Sequence, residues 1–386
     1  MFGRLRTVQL CLFFHATGYG IIAASSSFTM IMIGRLLLGV GVGFCFTCMV
    51  YAREVSPPQY RSVFLSLFPL ICSIGLTFNY IIGALLPWNI ASGIMCLIGV
   101  VGFSSTFFSY DTPQWLVGKG RMEEALKSIQ RVEHPVNVES RLKELQEAAA
   151  ESQKQENSKL GIGGWFFEPI IYRPFLMICA LTIMENLSGF YILIHYTVNF
   201  MNEFHTAVNP HQVTIALGMT RIVSTGIASC LFHRIGRKTA GVISGSGAAI
   251  GLFIIFVFLK LEPSYPILHE QYSWIPAFGF MVYMLSSGIG IYPLPLTFPS
   301  EVFPFKVRGA MGGFCFAAVH IIMFITIKMY NVILEGFGAP KGTVLMFAIS
   351  ATLFAFSGER SWSKRTRKPS KRSNSTSDRA GNLRRR

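Results

Sequence analysis

Glu54-Val55-Ser56-Pro57-Pro58-Gln59-Tyr60-Arg61 returns later in the chain as Glu301-Val302-Phe303-Pro304-Phe305-Lys306-Val307-Arg308, so both copies read E-V-x-P-x-x-x-R. A second pair, Gly3-Arg4 and Gly236-Arg237, precedes them in the same order. On either side of each copy lie long apolar runs. Such runs are long enough to cross a bilayer, which takes about 20 residues as helix. Two runs separate the members of each set, so the chain reads as a duplication of one multi-span unit, a parallel repeat within the membrane.

The composition agrees. Half the residues (51%) are hydrophobic and only 14% are charged, against about 25% charged in a soluble domain. Ten apolar segments can be laid out, at 8–25, 29–51, 63–87, 90–109, 174–200, 213–232, 239–260, 274–299, 310–333 and 342–356. The expected fold is an all-α membrane protein, a bundle of two pseudo-symmetric halves. Connections alternate in basic content. One set holds Arg4 and Arg6, Arg53 to Arg61, the stretch 117–173, Arg234 to Lys238, Lys306 to Arg308 and the C-terminal tail, while the other set carries only Lys341, with Lys260 at its edge. Basic loops stay on the cytoplasmic side, which predicts an integral membrane protein, of the plasma membrane, with both termini cytoplasmic.

The repeat predicts boundaries. Residues 1–116 form a first half of four spans, 117–173 a cytoplasmic helical linker, 174–356 a second half of six spans, and 357–386 a disordered basic tail. Two spans precede Gly236-Arg237 and none precede Gly3-Arg4, so about 10 of an expected 12 spans are present, and the last, at 342–356, reads as short. The tail carries 11 Lys and Arg against Glu359 and Asp378, a net +9 of the chain's +15. Its composition is that of a disordered segment attracted to anionic membrane lipids. Nucleic acid is the weaker partner, because no aromatic-interleaved module accompanies the basic run.

Charges at the cytoplasmic ends of helices anchor topology, and they also suit a gate. A carboxylate on one helix end and guanidinium groups on its neighbours pair when that side closes and part when it opens. An exposed pair contributes about 0–1 kcal/mol, yet a network at a closed gate biases two states that differ by a few kcal/mol. Arg4, Glu54, Arg61, Arg237, Glu301 and Arg308 are the residues placed for this.

Other chemistry finds no support. All eight Cys lie in apolar segments and read as small buried hydrophobes. His15, His195 and His320 sit singly on apolar runs, without metal-ligand spacing, and read as packed or hydrogen-bonded residues. Gly39-x-Gly41-x-Gly43 lies inside a span, where small residues allow close helix packing, so it is no phosphate loop. No nucleophile and base are arranged together, and no cofactor-binding motif is present. An enzyme is not expected.

The motifs resemble the sugar porter family of the major facilitator superfamily. Gly34-Arg35 with Gly39, Gly41 and Gly43, the loop Glu54 to Arg61, Asp111-Thr112-Pro113-Gln114-Trp115-Leu116, Ser188-Gly189, and Gly290-Ile291-Tyr292-Pro293-Leu294-Pro295 with Glu301 match its signatures in order. Trp115-Leu116-Val117-Gly118-Lys119-Gly120-Arg121-Met122 is most similar to insect facilitated trehalose transporters. The resemblance implies movement of trehalose or hexoses by alternating access, without cofactor or metal. It places Glu185, Asn186, Ser188, Tyr191, Tyr196, Arg221, Pro293 and Pro295 at the substrate.

Departures are informative. The family's paired glutamines are Glu185 and Asn186 here, its motif Asn is Tyr191, its paired tyrosines are His195 and Tyr196, and its tenth-span Trp is Leu296. Its eleventh-span Asn-Trp is Val319-His320, an amide of the eighth span is Arg221, and the loop Asp is His233. Neutral amides offer sugars both donor and acceptor, and here two of them are ionisable. Lone charges at membrane depth are costly and usually paired, so Glu185 and Arg221 are expected to form a salt bridge across the site. Three functions follow: a facilitative sugar transporter, a truncated or degenerate relative that does not transport, or an organic-ion carrier of the same superfamily.

Overall fold

A computed structural model describes residues 3–57, 61–132, 138–156, 168–203, 209–265, 271–303, 308–337 and 339–362. The first half consists of α1 (Arg4–Ala23), α2 (Phe28–Val55), α3 (Arg61–Leu85) and α4 (Trp88–Ser105). Short helices α5 (Pro113–Gly118), α6 (Met122–Gln130) and α7 (Val138–Glu156) follow. The second half runs through α8 (Pro169–Leu187), α9 (Phe190–Glu203), α10 (Pro210–Leu261), α11 (Ile275–Ser287), α12 (Pro293–Thr297), α13 (Pro299–Val302), α14 (Arg308–Lys328), α15 (Tyr330–Gly336) and α16 (Ala339–Trp362). The described residues hold helices and no strand.

Seven described helices are long and apolar enough to span a membrane, and the bent pair Tyr330–Gly336 and Pro340–Phe356 makes an eighth. The other two expected spans are helical but miss that measure for visible reasons. In α1 the first turns carry Arg4, Arg6 and Gln9, and the segment 274–299 is broken into α11, α12 and α13 by the glycines and prolines between Gly288 and Pro299. The last apolar run, 342–356, lies within α16, a helix of 24 residues that continues through Ser357–Trp362. The remainder of the basic tail lies outside the described residues.

The duplication is visible in the backbone. In each copy of E-V-x-P-x-x-x-R, the Glu-Val pair ends one helix and the Arg opens the next, at α2 and α3 and again at α13 and α14. Each Gly-Arg pair likewise starts a helix at its Arg. Gly236 turns the chain within α10 at φ +75°, a conformation that suits a residue without Cβ. Gly3 is required for a different reason: a Cβ there would lie 2.7 Å from an oxygen of Asp111. That carboxylate accepts a hydrogen bond from the Leu5 amide at 3.0 Å, satisfying a free donor in the first turn of α1.

The packing repeats as well. A Cβ on Gly34 of α2 would lie 2.9 Å from the Gly18 carbonyl oxygen on α1. In the second half a Cβ on Gly279 of α11 would lie 2.9 Å from the carbonyl oxygen of Gly251 on α10. Equivalent helices thus cross at paired glycines, the small-residue contact that brings backbones together in lipid. Gly251→Val should cost about 1–3 kcal/mol by overpacking this crossing, read as a lowered unfolding temperature in detergent. The glycine run 39–43 is more selective than expected. A Cβ on Gly41 would meet the His15 ring at 2.6 Å, but Gly39 and Gly43 have no neighbour within 4 Å. Gly39→Ala and Gly43→Ala should therefore be neutral or stabilising by up to about 1 kcal/mol, whereas Gly41→Ala should destabilise in the same assay.

The two halves differ in burial. The window in Ile171–Asn202 is 61% buried, against 11% for Phe28–Val55. The main core, including Ile178, Phe200, Leu252, Phe280, Tyr283 and Phe347, belongs to the second half. Between the halves, α3 packs along the first arm of α10, with Thr77 against Gly218 and Thr225 Oγ1 donating to Ser73 Oγ at 3.3 Å. The linker helices close on their own small core of Leu116, Val117, Ala125, Ile129, Val138 and Leu145.

Three histidines are hydrogen-bonded within their own helices. His15, His195 and His320 each place Nδ1 2.7–2.8 Å from the carbonyl oxygen four residues earlier, the hydrogen bond that occupies an imidazole on a helix in lipid. All eight cysteines are free thiols; Cys11 and Cys315 are buried, while Cys230 is exposed.

Candidate substrate site

The site forms where a helix is interrupted. Between α8 and α9 the chain passes through Ser188 and Gly189, and Gly189 has φ +83°. A side chain there would also run into the Phe347 ring of α16. A break in lipid frees carbonyl groups that must find partners. Two hydroxyls supply them: Ser188 Oγ donates to the Glu185 carbonyl at 2.7 Å, and Tyr283 of α11 donates to the Ser188 carbonyl at 3.0 Å. The interruption is therefore held in place by the sequence around it.

Just before the break, Thr182, Glu185 and Asn186 occupy i, i+3 and i+4 of α8, which puts them on one face. Asn186 Nδ2 donates to the Thr182 carbonyl at 2.8 Å, leaving its amide oxygen unused. Glu185 is 1% exposed and Asn186 1%. Thr182 Oγ1, both Glu185 carboxylate oxygens, Asn186 Oδ1 and Arg221 Nε are buried without a hydrogen-bond partner. Native interiors rarely leave such groups unmet, and each costs about 1–3 kcal/mol. Four of these five atoms sit on one face of α8, and Arg221 lies within electrostatic range of Glu185.

Arg221 comes from the first arm of α10 and is 5% exposed. The expected contact salt bridge with Glu185 is not formed. The carboxylate lies within electrostatic range of Arg221, but the guanidinium carbon sits 4.3 Å above the Tyr292 ring and 5.3 Å from the Phe190 ring. Those rings stack on each other at 5.3 Å and 25°. A guanidinium is planar and weakly hydrated, so ring faces are good partners for it. The aromatic pair thus takes the cation and leaves the carboxylate open.

The remaining expected residues divide. Tyr191 meets Phe190 edge-on at 5.3 Å and lies in reach of Glu185. Tyr196 turns away to stack flat on Tyr330 at 4.3 Å, at a kink where its φ is −119°. Pro293 and Pro295 are buried at the start of α12; they offer no donor and instead shape the bend that presents Tyr292. Ser188 is spent on the helix break. Thr182, Phe190, Tyr283 and Tyr292 were not foreseen. Thr182 was legible as the residue three before Glu185, and Tyr292 adjoins the proline motif, but no local signal marks Phe190 or Tyr283.

At the opposite end, Arg4 Nε lies 3.5 Å from Glu54 Oε2, and Thr112 Oγ1 donates to the same oxygen at 2.7 Å. Ser128 Oγ donates to the Asp111 carbonyl at 3.0 Å, tying the linker to this cluster. Arg4 is 41% exposed, so the pair contributes under about 1 kcal/mol, and Glu54→Gln should move the unfolding temperature little. The backbones of Arg61, Arg237, Glu301 and Arg308 are placed at helix ends, while their side chains lie outside the described residues.

The sequence and fold have known counterparts. The profile of the family described as Sugar (and other) transporter matches residues 1–358. Facilitated trehalose transporter Tret1 of Bombyx mori is 26% identical over 353 residues, covering 90% of this chain and 68% of that protein. Tret1 of Apis mellifera ligustica is 26% identical over 358 residues, covering 92% and 70%. Among solved structures, the proton:xylose symporter XylE bound to 6-bromo-6-deoxy-D-glucose matches with a TM-score of 0.72 at 17% identity, over 92% of this chain and 79% of that one. The human organic anion transporter MFSD10 matches with a TM-score of 0.58 at 16% identity, over 92% and 77%. Repeat, broken span and the Arg4–Glu54 tie all fall inside the matched residues. The chain is accordingly an integral membrane protein of the major facilitator fold and belongs to the sugar transporter family, whose members are transporters and not enzymes.

Proposed function

We propose that this chain carries a neutral sugar of the trehalose or hexose class across the plasma membrane by alternating access, with both termini in the cytoplasm. The observation that supports it is the set of unpartnered buried atoms on Thr182, Glu185, Asn186 and Arg221. Sugar hydroxyls both donate and accept, so one ring meets all of them: a pair of hydroxyls donates to the Glu185 carboxylate, while ring or hydroxyl oxygens accept from Arg221 Nε. Tyr292 and Phe190 hold Arg221 in position, and Tyr191 stands beside the carboxylate. Arg4, Glu54, Arg61, Arg237, Glu301 and Arg308 form the cytoplasmic gate, which the Thr112 contact steadies in its closed form.

The test is uptake of labelled trehalose and glucose into proteoliposomes holding the purified chain. Saturable uptake that Glu185→Gln lowers at least tenfold is the expected result; a folded chain that admits neither sugar overturns the reading. A second reading, an organic-ion carrier, draws on the two unpaired charges at Glu185 and Arg221. Uptake of a zwitterionic solute in place of either sugar would select it.

A further inference from the structure

Away from the Glu185 cluster, α3 and α4 of the first half face α9 and the first arm of α10 across a cleft of about 370 Å³. We propose that this cleft is a second, outer binding site for a neutral polyhydroxy solute, occupied separately from the inner one. The solute class rests on the sugar-transport reading; the site itself does not.

The lining carries the argument. Asn79, Tyr80, Trp88, His195, His211 and Thr214 all contribute, and among the described residues no Lys, Arg, Asp or Glu does. A described lining without formal charge, at the small end of the usual range of about 300–1,000 Å³, favours a neutral solute and admits a molecule of sugar size. Asn79 and His211 are exposed, and among the described residues their side chains make no hydrogen bond. His195 Nδ1 is held by the Tyr191 carbonyl at 2.8 Å, which leaves Nε2 to meet a ligand. The Tyr80 hydroxyl donates to the Ile194 carbonyl at 2.8 Å, and Thr214 Oγ1 to the Pro210 carbonyl at 2.8 Å. Both oxygens keep lone pairs as acceptors. Trp88 at the start of α4 is 56% exposed and supplies a flat apolar face. An amide, two imidazoles and a ring face together match the alternating hydroxyls and C–H patches of a sugar.

The position fits a capture site. Asn79 lies 18 residues beyond Arg61 on α3, so about 27 Å farther along the helix axis at 1.5 Å per residue. The cleft therefore opens at the end of the bundle opposite the Arg4–Glu54 tie. Helix α9 links the two sites: Tyr191 stands by the inner carboxylate, and His195, one turn on, faces the cleft. The Tyr80 bond to Ile194 crosses between the halves beside it, so a solute held here rests against the contact that must part for entry.

Trp88 is the built-in reporter. The purified chain in detergent is titrated with trehalose and with glucose, and the Trp88 signal is isolated by subtracting the Trp88→Phe protein. The expected result is a saturable fluorescence change, weakened about fivefold by Asn79→Ala and by His211→Ala, one hydrogen bond each. It should persist undiminished in Glu185→Gln. Loss of the change in Glu185→Gln overturns the proposal, because the signal then reports the inner site. Unaltered affinity in both Asn79→Ala and His211→Ala overturns it too, as does a response to short-chain phosphatidylcholine alone, which makes the cleft a lipid headgroup site. Uptake is measured in parallel. Uptake without a Trp88 signal removes the outer site and keeps the transport reading; a signal without uptake does the reverse.

Discussion

Arg221→Ala should cost the folded protein about 3–5 kcal/mol, because it leaves the buried Glu185 carboxylate without a nearby cation. Glu185 is 1% exposed and both its oxygens already lack partners. The Arg221 charge is what offsets that burial, even though the guanidinium rests on Tyr292 rather than on the carboxylate. Adding Glu185→Gln to Arg221→Ala should recover much of the loss, since an uncharged amide needs no counter-ion. The single changes are thus expected to be non-additive by about 1–3 kcal/mol, measured by thermal unfolding of the four proteins in one detergent. Strict additivity would show that the two charges do not sense each other. Uptake should fail in the rescued double variant all the same, because the amide and the missing guanidinium no longer present the charges that the sugar hydroxyls meet.

Gly189→Ala should be strongly damaging, because it adds a methyl group where both the backbone and a neighbouring ring oppose it. A residue with a Cβ at φ +83° costs about 1–2 kcal/mol on the backbone alone. Its Cβ would also displace the Phe347 ring, which is 0% exposed and has no room to retreat, adding about 1–3 kcal/mol of overpacking. Two controls separate these causes. Gly120 has φ +75° but no neighbour within 4 Å, so Gly120→Ala carries only the backbone cost. Gly75 has no neighbour either and lies within α3, so Gly75→Ala should be neutral or slightly stabilising. The expected order of unfolding temperatures is Gly75→Ala highest, then Gly120→Ala, then Gly189→Ala. If Gly189→Ala equals Gly120→Ala, the Phe347 contact is not holding the break.

These residues also show where reading the chain succeeds. E-V-x-P-x-x-x-R and the two Gly-Arg pairs were legible as a duplication, and the helices end and begin at those residues in both halves. Membrane helices are the easiest structure to read from a sequence, because a backbone in lipid satisfies itself locally and the apolar run must be about as long as the bilayer is thick. Helix ends were less legible. The last helix continues into polar residues that no hydropathy run marks, and 274–299 breaks where prolines and glycines outweigh its apolar character.

Glu185 and Arg221 mark the limit. Their residue types, and their place at membrane depth, already said that two charges share one region. That the charges face each other without touching was decided by Phe190 and Tyr292, aromatic residues 31 and 71 positions from Arg221 along the chain, which reach the guanidinium only once α8, α9, α10 and α12 have packed. The same holds for Tyr283 sealing the helix break and for Phe347 filling the space over Gly189. Sequence alone determined the helical membrane fold, its repeat and the ionisable pair, since each follows from local pattern. Which atoms of that pair remain unmet depends on contacts between distant segments, and the tertiary structure alone settles that.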